Sequence, residues 1–300
     1  MDNLTHALLG ASLIGLRVVP PQHRRGVWLA VMLGSQAPDF DLLPSLFSAQ
    51  AQVAWHRGYS HSLLGMAVIA GLVTLTVGIL EPRLPRSQIL MWVMVAVMLH
   101  CGVDTLTSYG TKVFYPLQAG TVALDILYGL DLVILGILSI GAVLDYRGQR
   151  YALTVALCCV IIYVVGRGAL HKVMVTAVAK QYSVSKFSVL PDLNPLGAWT
   201  VIIDTGEAYQ VGQINPVGSK LIVKANYSKN LAQPLVQSIR NDPTIDSYLA
   251  VARYPIAEIS SKGSKWEIRL TDLRLWPHLS FNAVASLNGD LKLEKVKIGP

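Results

Sequence analysis

His100 and Asp104 are the residues of this sequence whose types and spacing best suit metal binding. They lie four residues apart in an apolar stretch, so a helix there projects both side chains from one face. Ionisable side chains inside a membrane cost about 2.5–3.5 kcal/mol each at the centre of a helix, and they are functional candidates by default. Imidazole and carboxylate groups together bind zinc in hydrolytic sites, and they also bind manganese or iron. The pair therefore predicts two ligands of one divalent metal, or one ligand and a bridging carboxylate.

Further histidine and aspartate residues stand at the ends of other apolar segments. If these segments are helices that alternate in direction, all of those ends lie on the same side of the membrane, whereas chance placement would mix the two sides. We expect one or two divalent ions there, with zinc placed first. The predicted metal ligands are His6, Asp39, His56, His61, His100 and Asp104.

Four neighbouring residues receive other predicted roles. Asp41 or Asp125 would hold or deprotonate the reacting water, and Arg57 and Lys112 would face the anionic part of a substrate. Asp131 is expected about 9 Å deeper than Asp125 in the same helix. It is assigned a structural hydrogen bond to a neighbouring helix, with orientation of a metal ligand as the alternative.

Two plainer interpretations stay open for members of the set. His100 and Asp104 could form only a buried hydrogen-bonded pair, and His56 could be an interfacial anchor that faces lipid headgroups. The set as a whole favours a metal centre, because both interpretations leave the convergence of the remaining residues unexplained.

The composition places these residues in a membrane protein. Of the 300 residues, 52% are hydrophobic and only 14% are charged, whereas soluble domains contain about 25% charged residues. Residues 1–180 hold 12 Lys/Arg and 8 Asp/Glu, and residues 181–300 hold 13 and 10. We therefore expect a helical membrane domain over 1–180 and a polar extramembrane domain over 181–300. A disordered chain, a disulfide scaffold and an all-soluble enzyme are excluded.

The net charge of +7 does not predict a nucleic-acid partner. The sequence has no run of five or six basic residues and no basic helix interleaved with aromatic residues. A moderate positive charge is expected of a membrane protein that holds Lys and Arg in the loops of one face.

Six apolar segments are expected to form an α-helical integral membrane bundle. The first two are too short for a hydrocarbon core of about 30 Å, and the other four are long enough. The predicted helices are 4–19, 26–37, 62–80, 89–106, 122–144 and 151–166.

The remaining 120 residues alternate polar and apolar side chains, which predicts a small β-rich domain. The clearest strands are 220–224, 266–270 and 291–296, and one helix is expected over 231–239.

Positive charge in the short loops predicts the orientation of the bundle. The face that collects these arginines is assigned to the cytoplasm by the positive-inside rule. The metal-ligand candidates and the domain over 181–300 then lie on the extracytoplasmic side. The arginines are Arg17, Arg24, Arg25, Arg83, Arg86, Arg147 and Arg150.

Four blocks of sequence carry the histidine and aspartate residues: 1–8 (MDNLTHAL), 37–41 (APDFD), 56–62 (HRGYSHS) and 100–111. In this order they resemble the YdjM-type family of membrane-bound metal-dependent hydrolases, a resemblance that covers residues 1 to about 135. The ordered set is specific, although no single block is. The resemblance implies a multi-pass protein of the bacterial inner membrane.

The same residues are more distantly similar to the helical zinc phospholipase C and P1 nuclease group, whose members cleave phosphate esters. That similarity implies His6, Asp39 or Asp41, His61, His100 and Asp104 as ligands, with Asp104 as a bridge between ions. The group's further downstream His and Glu ligands have no counterpart after Asp104. The similarity therefore implies one or two ions and not three.

Together these observations predict a membrane-embedded hydrolase that cleaves an ester or phosphoester bond of a membrane lipid or lipid-linked substrate at the outer face. Two other classes stay open. Asp125 and Asp131, expected at different depths of one helix, would suit an ion or proton transporter. An anchoring or assembly protein would instead use the domain over 181–300 to bind a protein partner.

Overall fold

A computed structural model describes residues 1–46, 55–182, 186–194, 197–217, 220–263, 265–275 and 281–299 of the chain. The chain divides into two compact units. One comprises Met1–Asp41 and His56–His171, and the other comprises Leu42–Trp55 and Lys172–Pro300. The first unit is helical, and the second contains two antiparallel sheets.

Three of the described helices are long and apolar enough to cross a membrane: α3, α4 and α6. Helix α5 is apolar but has only 15 residues, which at 1.5 Å per residue is about 22 Å. The helices are α1 Asn3–Gly15, α2 Arg24–Gln36, α3 Leu63–Leu80, α4 Arg86–Thr105, α5 Leu132–Tyr146 and α6 Ala152–Gln181.

The expected helix over 122–144 is wrong in its first ten residues, which are not helical, and so one of the four expected full spans is lost. Asp131 caps the start of α5, because its Oδ1 accepts hydrogen bonds from the backbone amides of Val133 and Ile134. The amides of Leu124 and Ile126 instead donate to carbonyls at the end of α4. Apolar composition alone does not distinguish such a loop from a helix.

Asp125 therefore does not begin a helix, and Asp131 does not lie deeper in the same one. Asp125 has a left-handed backbone with φ of 56°, which a continuous right-handed helix excludes. Asp131 does make the structural hydrogen bond expected of it, because the Tyr163 hydroxyl on α6 donates to its Oδ2 at 2.9 Å.

Helices α3 and α4 each divide into an exposed and a buried stripe. Leu64, Val68, Leu72, Leu75 and Ile79 of α3 are 56–78% exposed, as expected of a lipid-facing side. The buried stripe of α4 recurs every three or four residues. Its members are Ile89, Trp92, Val93, Ala96, Val97, His100, Cys101 and Asp104. The two polar residues thus continue the inward face of the helix.

Two of the loop arginines make ion pairs at the opposite ends of the helices. Arg17, just after α1, is 3.4 Å from Asp145 near the end of α5, and Arg25 in α2 is 2.9 Å from Glu81 after α3. These contacts link helix ends that the positive-inside rule assigns to one face of the membrane.

The second unit has two four-stranded meanders, with strand orders β1-β2-β3-β4 and β5-β6-β7-β8. The expected strands overlap β4, β6 and β8. The expected helix over 231–239 is present but shorter, as α7 Pro234–Ser238, and a second short helix that was not expected, α8 Pro243–Val251, follows it. Asp242 caps the start of α8, because its Oδ1 accepts hydrogen bonds from the amides of Thr244 and Ile245, and Pro243 suits the first helical position. The strands are β1 Phe187–Leu190, β2 Trp199–Asp204, β3 Ala208–Ile214, β4 Leu221–Ser228, β5 Pro255–Lys262, β6 Lys265–Asp272, β7 Phe281–Leu287 and β8 Leu293–Gly299.

Candidate metal centre

Several chain segments bring histidine and aspartate side chains to one end of the helical unit. Helix α4 supplies His100 and Asp104, and the 3-10 segment Ala37–Leu46 after α2 supplies Asp39. His61 ends a 3-10 turn, Tyr59–His61, that directly precedes α3. All four side chains are buried.

The ligand atoms of these four residues converge. One atom from each lies within 4.8 Å of the others. The Nε2 atoms of His61 and His100 are 3.2 Å apart. Asp39 Oδ1 is 3.6 Å from His61 Nε2 and 3.5 Å from His100 Nε2. Asp104 Oδ2 is 3.4 Å and 3.8 Å from the same two nitrogens. Two imidazoles and two carboxylates therefore face one point, which is a ligand set suited to a divalent cation.

The other nitrogen of each of these imidazoles is held by the protein. His100 Nδ1 is 2.7 Å from the Ser35 carbonyl oxygen. His61 Nδ1 is 2.8 Å from Ser60 Oγ and 3.5 Å from Asp41 Oδ2. Metal-binding histidines characteristically use their second nitrogen in this way, which fixes the tautomer and the ring orientation. Both Nε2 atoms remain directed toward the centre.

His6 of α1 adds a third imidazole to the buried cluster. Its ring stacks on that of His100 with centroids 3.7 Å apart, and its Nε2 is 3.3 Å from Asp104 Oδ1. Neither nitrogen of His6, nor Asp104 Oδ2, has a hydrogen-bond partner within the described part of the chain. Buried polar atoms are rarely left unpaired, so these atoms fit a bound cation.

A second set of ligand-type atoms lies beside the first. One atom each from Asp39, Asp41 and His56 lies within 4.8 Å of the others. Asp41 Oδ1 is 2.9 Å from His56 Nδ1. Asp41 Oδ2 accepts from the backbone amide of Arg57 at 3.0 Å and from the Ser60 hydroxyl.

Arg57 contacts the cluster directly. Its Nη2 donates to Asp104 Oδ1 at 3.1 Å, and its Nη1 donates to Thr107 Oγ1 at 3.2 Å and the Gly110 carbonyl at 3.4 Å. The Met1 amino group also donates to Asp104 Oδ1. The Arg57 guanidinium therefore places positive charge against the buried Asp104 carboxylate.

The local electrostatics favour ionised carboxylates and a charged His61. Burial alone raises the pKa of Asp39, but the hydrogen bonds with His100 and His61 outweigh it, and the pKa lies well below its usual range. The pKa of Asp41 is lowered in the same way, against burial, by His56, His61 and Ser60. Burial lowers the pKa of His61, whereas Asp104, Asp39 and Asp41 raise it, to about 10 overall.

Neither set of ligand-type atoms includes the predicted ligand His6. Lys112 and Asp125, which were predicted to act on substrate and water, also lie outside both sets. Lys112 donates its backbone amide to the Arg57 carbonyl oxygen at 3.2 Å, and its Nζ is 5.8 Å from the centre of the Tyr115 ring. Asp125 is buried in the loop before α5, and neither of the two groups found among the described residues includes it. Their proposed roles toward water and substrate stay predictions.

Two residues that orient the central histidines were not predicted from the sequence. The Ser35 carbonyl oxygen orients His100, but every residue has a carbonyl, so no sequence signal marks it. Ser60 had a signal, because it stands next to His61 in the block over 56–62; its hydroxyl lies between Asp41 and His61.

The family described as YdjM inner membrane protein matches residues 1–173. A relative from Bacillus subtilis (strain 168), "Uncharacterized protein YfhP", is 22% identical over 313 residues, which cover 100% of this chain and 95% of the relative. No solved structure matches the chain significantly. The family match covers more than half of the chain and includes every residue of the buried cluster. The chain therefore belongs to the YdjM inner membrane protein family.

Proposed function

We propose that this protein is a membrane-embedded, metal-dependent hydrolase that cleaves an ester or phosphoester bond of a lipid-like substrate. The observation that carries the proposal is the convergence of two oriented imidazoles and two carboxylates on one buried point. A plain buried His–Asp pair needs neither the second histidine nor the second carboxylate. Zinc is the first candidate for the ion, with manganese or iron as alternatives.

A divalent cation would supply Lewis acidity, which lowers the pKa of water and polarises a phosphoryl or acyl oxygen. His61, His100, Asp39 and Asp104 would hold it. Asp41 is half-buried beside this group and is the carboxylate that we assign to orienting the reacting water, with Asp125 as the alternative. Arg57 pairs with Asp104 on one side and, with Lys112, would offer positive charge to an anionic substrate.

Exposed apolar side chains near the cluster favour a lipid-like substrate. Phe40 lies between the two aspartates and is 56% exposed, and Tyr59 next to the His61 turn is 59% exposed. Phe114 and Leu117 in the loop that precedes α5 are 48% and 91% exposed. Aromatic side chains of this kind are enriched where a protein meets the lipid headgroups. We infer that the substrate approaches from the membrane and on its outer face.

An ion path has less support than it had from the sequence. The transport interpretation depended on Asp125 and Asp131 at two depths of one helix, and Asp125 lies outside the helix that Asp131 caps. The histidine and aspartate side chains of the buried cluster gather at one end of the helical unit, whereas a path needs polar groups along its whole length.

The proposal is tested by a hydrolysis screen on the full-length protein in detergent. The panel contains a phospholipid, a polyprenyl phosphate and a carboxylic ester, each with and without added Zn²⁺ or Mn²⁺. We expect cleavage of at least one of these substrates, loss of cleavage with a chelator, and its return with metal. His100→Ala and Asp104→Asn should each lower the rate by at least about 100-fold, since they remove a ligand.

His23→Ala is the matched control, because His23 is a half-buried histidine at the start of α2, outside the cluster. It should keep the parent rate. Cleavage that survives in both His100→Ala and Asp104→Asn, or that ignores the chelator, would contradict the proposal.

A further inference from the structure

The set formed by Asp39, Asp41 and His56 lies next to the central group and shares Asp39 with it. We propose that these three side chains bind a second divalent cation, so that Asp39 is shared between two ions. The inference rests on the proposed function only in taking the first group as a metal site.

The geometry of the second set suits a metal. Ligands that bind one ion at about 2.0–2.2 Å stand about 3–4 Å apart. The Asp41 Oδ1–His56 Nδ1 distance of 2.9 Å is close to this range. The amide of Arg57 and the hydroxyl of Ser60 both donate to Oδ2 of Asp41, so Oδ1 is the oxygen left facing His56. A cation would take the place of the proton that these two atoms otherwise share.

The charges of the site also suit a second ion that faces an anionic substrate. Three carboxylates, those of Asp39, Asp41 and Asp104, lie in the two adjoining sets. Arg57 pairs with Asp104. In the described chain, the ion pairs of Asp39 and Asp41 involve histidines alone. A single divalent cation and Arg57 would together balance the three carboxylates, so a second cation would leave positive charge that attracts an anionic substrate.

The two sets differ in exposure, and this assigns them different tasks. The side chains of His61, His100 and Asp104 are 0% exposed and that of Asp39 is 5% exposed. Those of Asp41 and His56 are 11% and 24% exposed. Catalytic metal sites keep a position open for water or substrate, whereas structural sites are closed. The second cation would therefore face the substrate, exchange faster than the first, and make Asp41 act on the reacting water through the ion.

The test counts ions in the full-length protein in detergent. Protein stripped with a chelator is dialysed against Zn²⁺, and bound metal is measured by inductively coupled plasma mass spectrometry. We expect His56→Ala and Asp41→Asn each to bind one ion per chain fewer than the parent, while His23→Ala keeps the parent number. Release of Zn²⁺ to a chelator should be biphasic in the parent, and the fast phase should be missing in His56→Ala.

Circular dichroism and gel filtration identify variants that fold as the parent does. If His56→Ala does not fold, the near-isosteric Asp41→Asn provides the test. The inference is overturned if the folded variants keep both the parent's ion count and its fast phase. It is also overturned by a parent that hydrolyses substrate with a single ion, a result that leaves the proposed function standing. Two ions without hydrolysis would support the second site and contradict the function.

Discussion

Each imidazole of the central group has one nitrogen directed to the centre and one held by the scaffold. For His100 the holding atom is a backbone carbonyl, and for His61 it is a hydroxyl next to a carboxylate. These two contacts decide which tautomer each ring adopts. The types and spacing of His100 and Asp104 were enough to predict ligands from the sequence. The contact of His100 with Ser35 was not predictable, because it joins residues 65 positions apart through a backbone carbonyl. Ser60, in contrast, is visible in the sequence beside His61.

We predict that metal binding releases a proton from His61. With its pKa raised to about 10, His61 is protonated at neutral pH in the absence of metal, and only the neutral ring can bind a cation. Metal binding at about pH 7.5 should therefore release about one proton from His61, and affinity should rise with pH up to about 10. Titration calorimetry in buffers of different ionisation enthalpy measures the released protons. The same affinity across this range, with no released proton, would contradict the assignment of His61.

Short, tightly joined turns hold the ligands between the helices. The turn Tyr59–His61 places His61 immediately before α3, whose first residues are fixed by the Ser62 cap. Gly65 lies directly under this turn, and a Cβ added there would overlap the Tyr59 carbonyl oxygen. No sequence signal marks this close approach, since glycines in apolar segments have many other causes.

A pair of glycine substitutions in α3 tests this element. Gly65→Ala should push the turn away from α3, destabilise the protein by about 1–3 kcal/mol and weaken metal binding, because overpacking displaces the backbone that carries His61. Gly71→Ala is the matched control, since an added Cβ there meets nothing within 4 Å. It should be neutral or stabilising by up to about 1 kcal/mol.

Thermal unfolding of both variants in the same detergent, followed by Zn²⁺ titration, gives the comparison. Equal stability and equal metal affinity of the two variants would contradict the proposal that the turn positions His61.

For the whole molecule, the division into an apolar helical part and a polar β-rich part followed from composition and period. The main error concerned residues 122–131, where an apolar segment forms a loop instead of the start of a helix. The loop is stabilised by hydrogen bonds from its backbone amides to the carbonyl oxygens of Thr105 and Leu106, and α5 begins at the Asp131 cap. The bonds to Thr105 and Leu106 are tertiary contacts, which the local sequence does not reveal. The histidine and aspartate residues of the cluster still meet, because they stand at one end of several helices. An error of a few residues in a helix boundary does not change which end of the helix they occupy.

The central claim is that the buried cluster binds a divalent metal, and the metal content of the full-length protein tests it most directly. Protein purified in detergent from cells grown with ample zinc and manganese is analysed by inductively coupled plasma mass spectrometry beside a His61→Ala/His100→Ala double variant. We predict at least one divalent ion per chain in the parent and its loss in the variant. A parent as empty of metal as the variant would contradict the account.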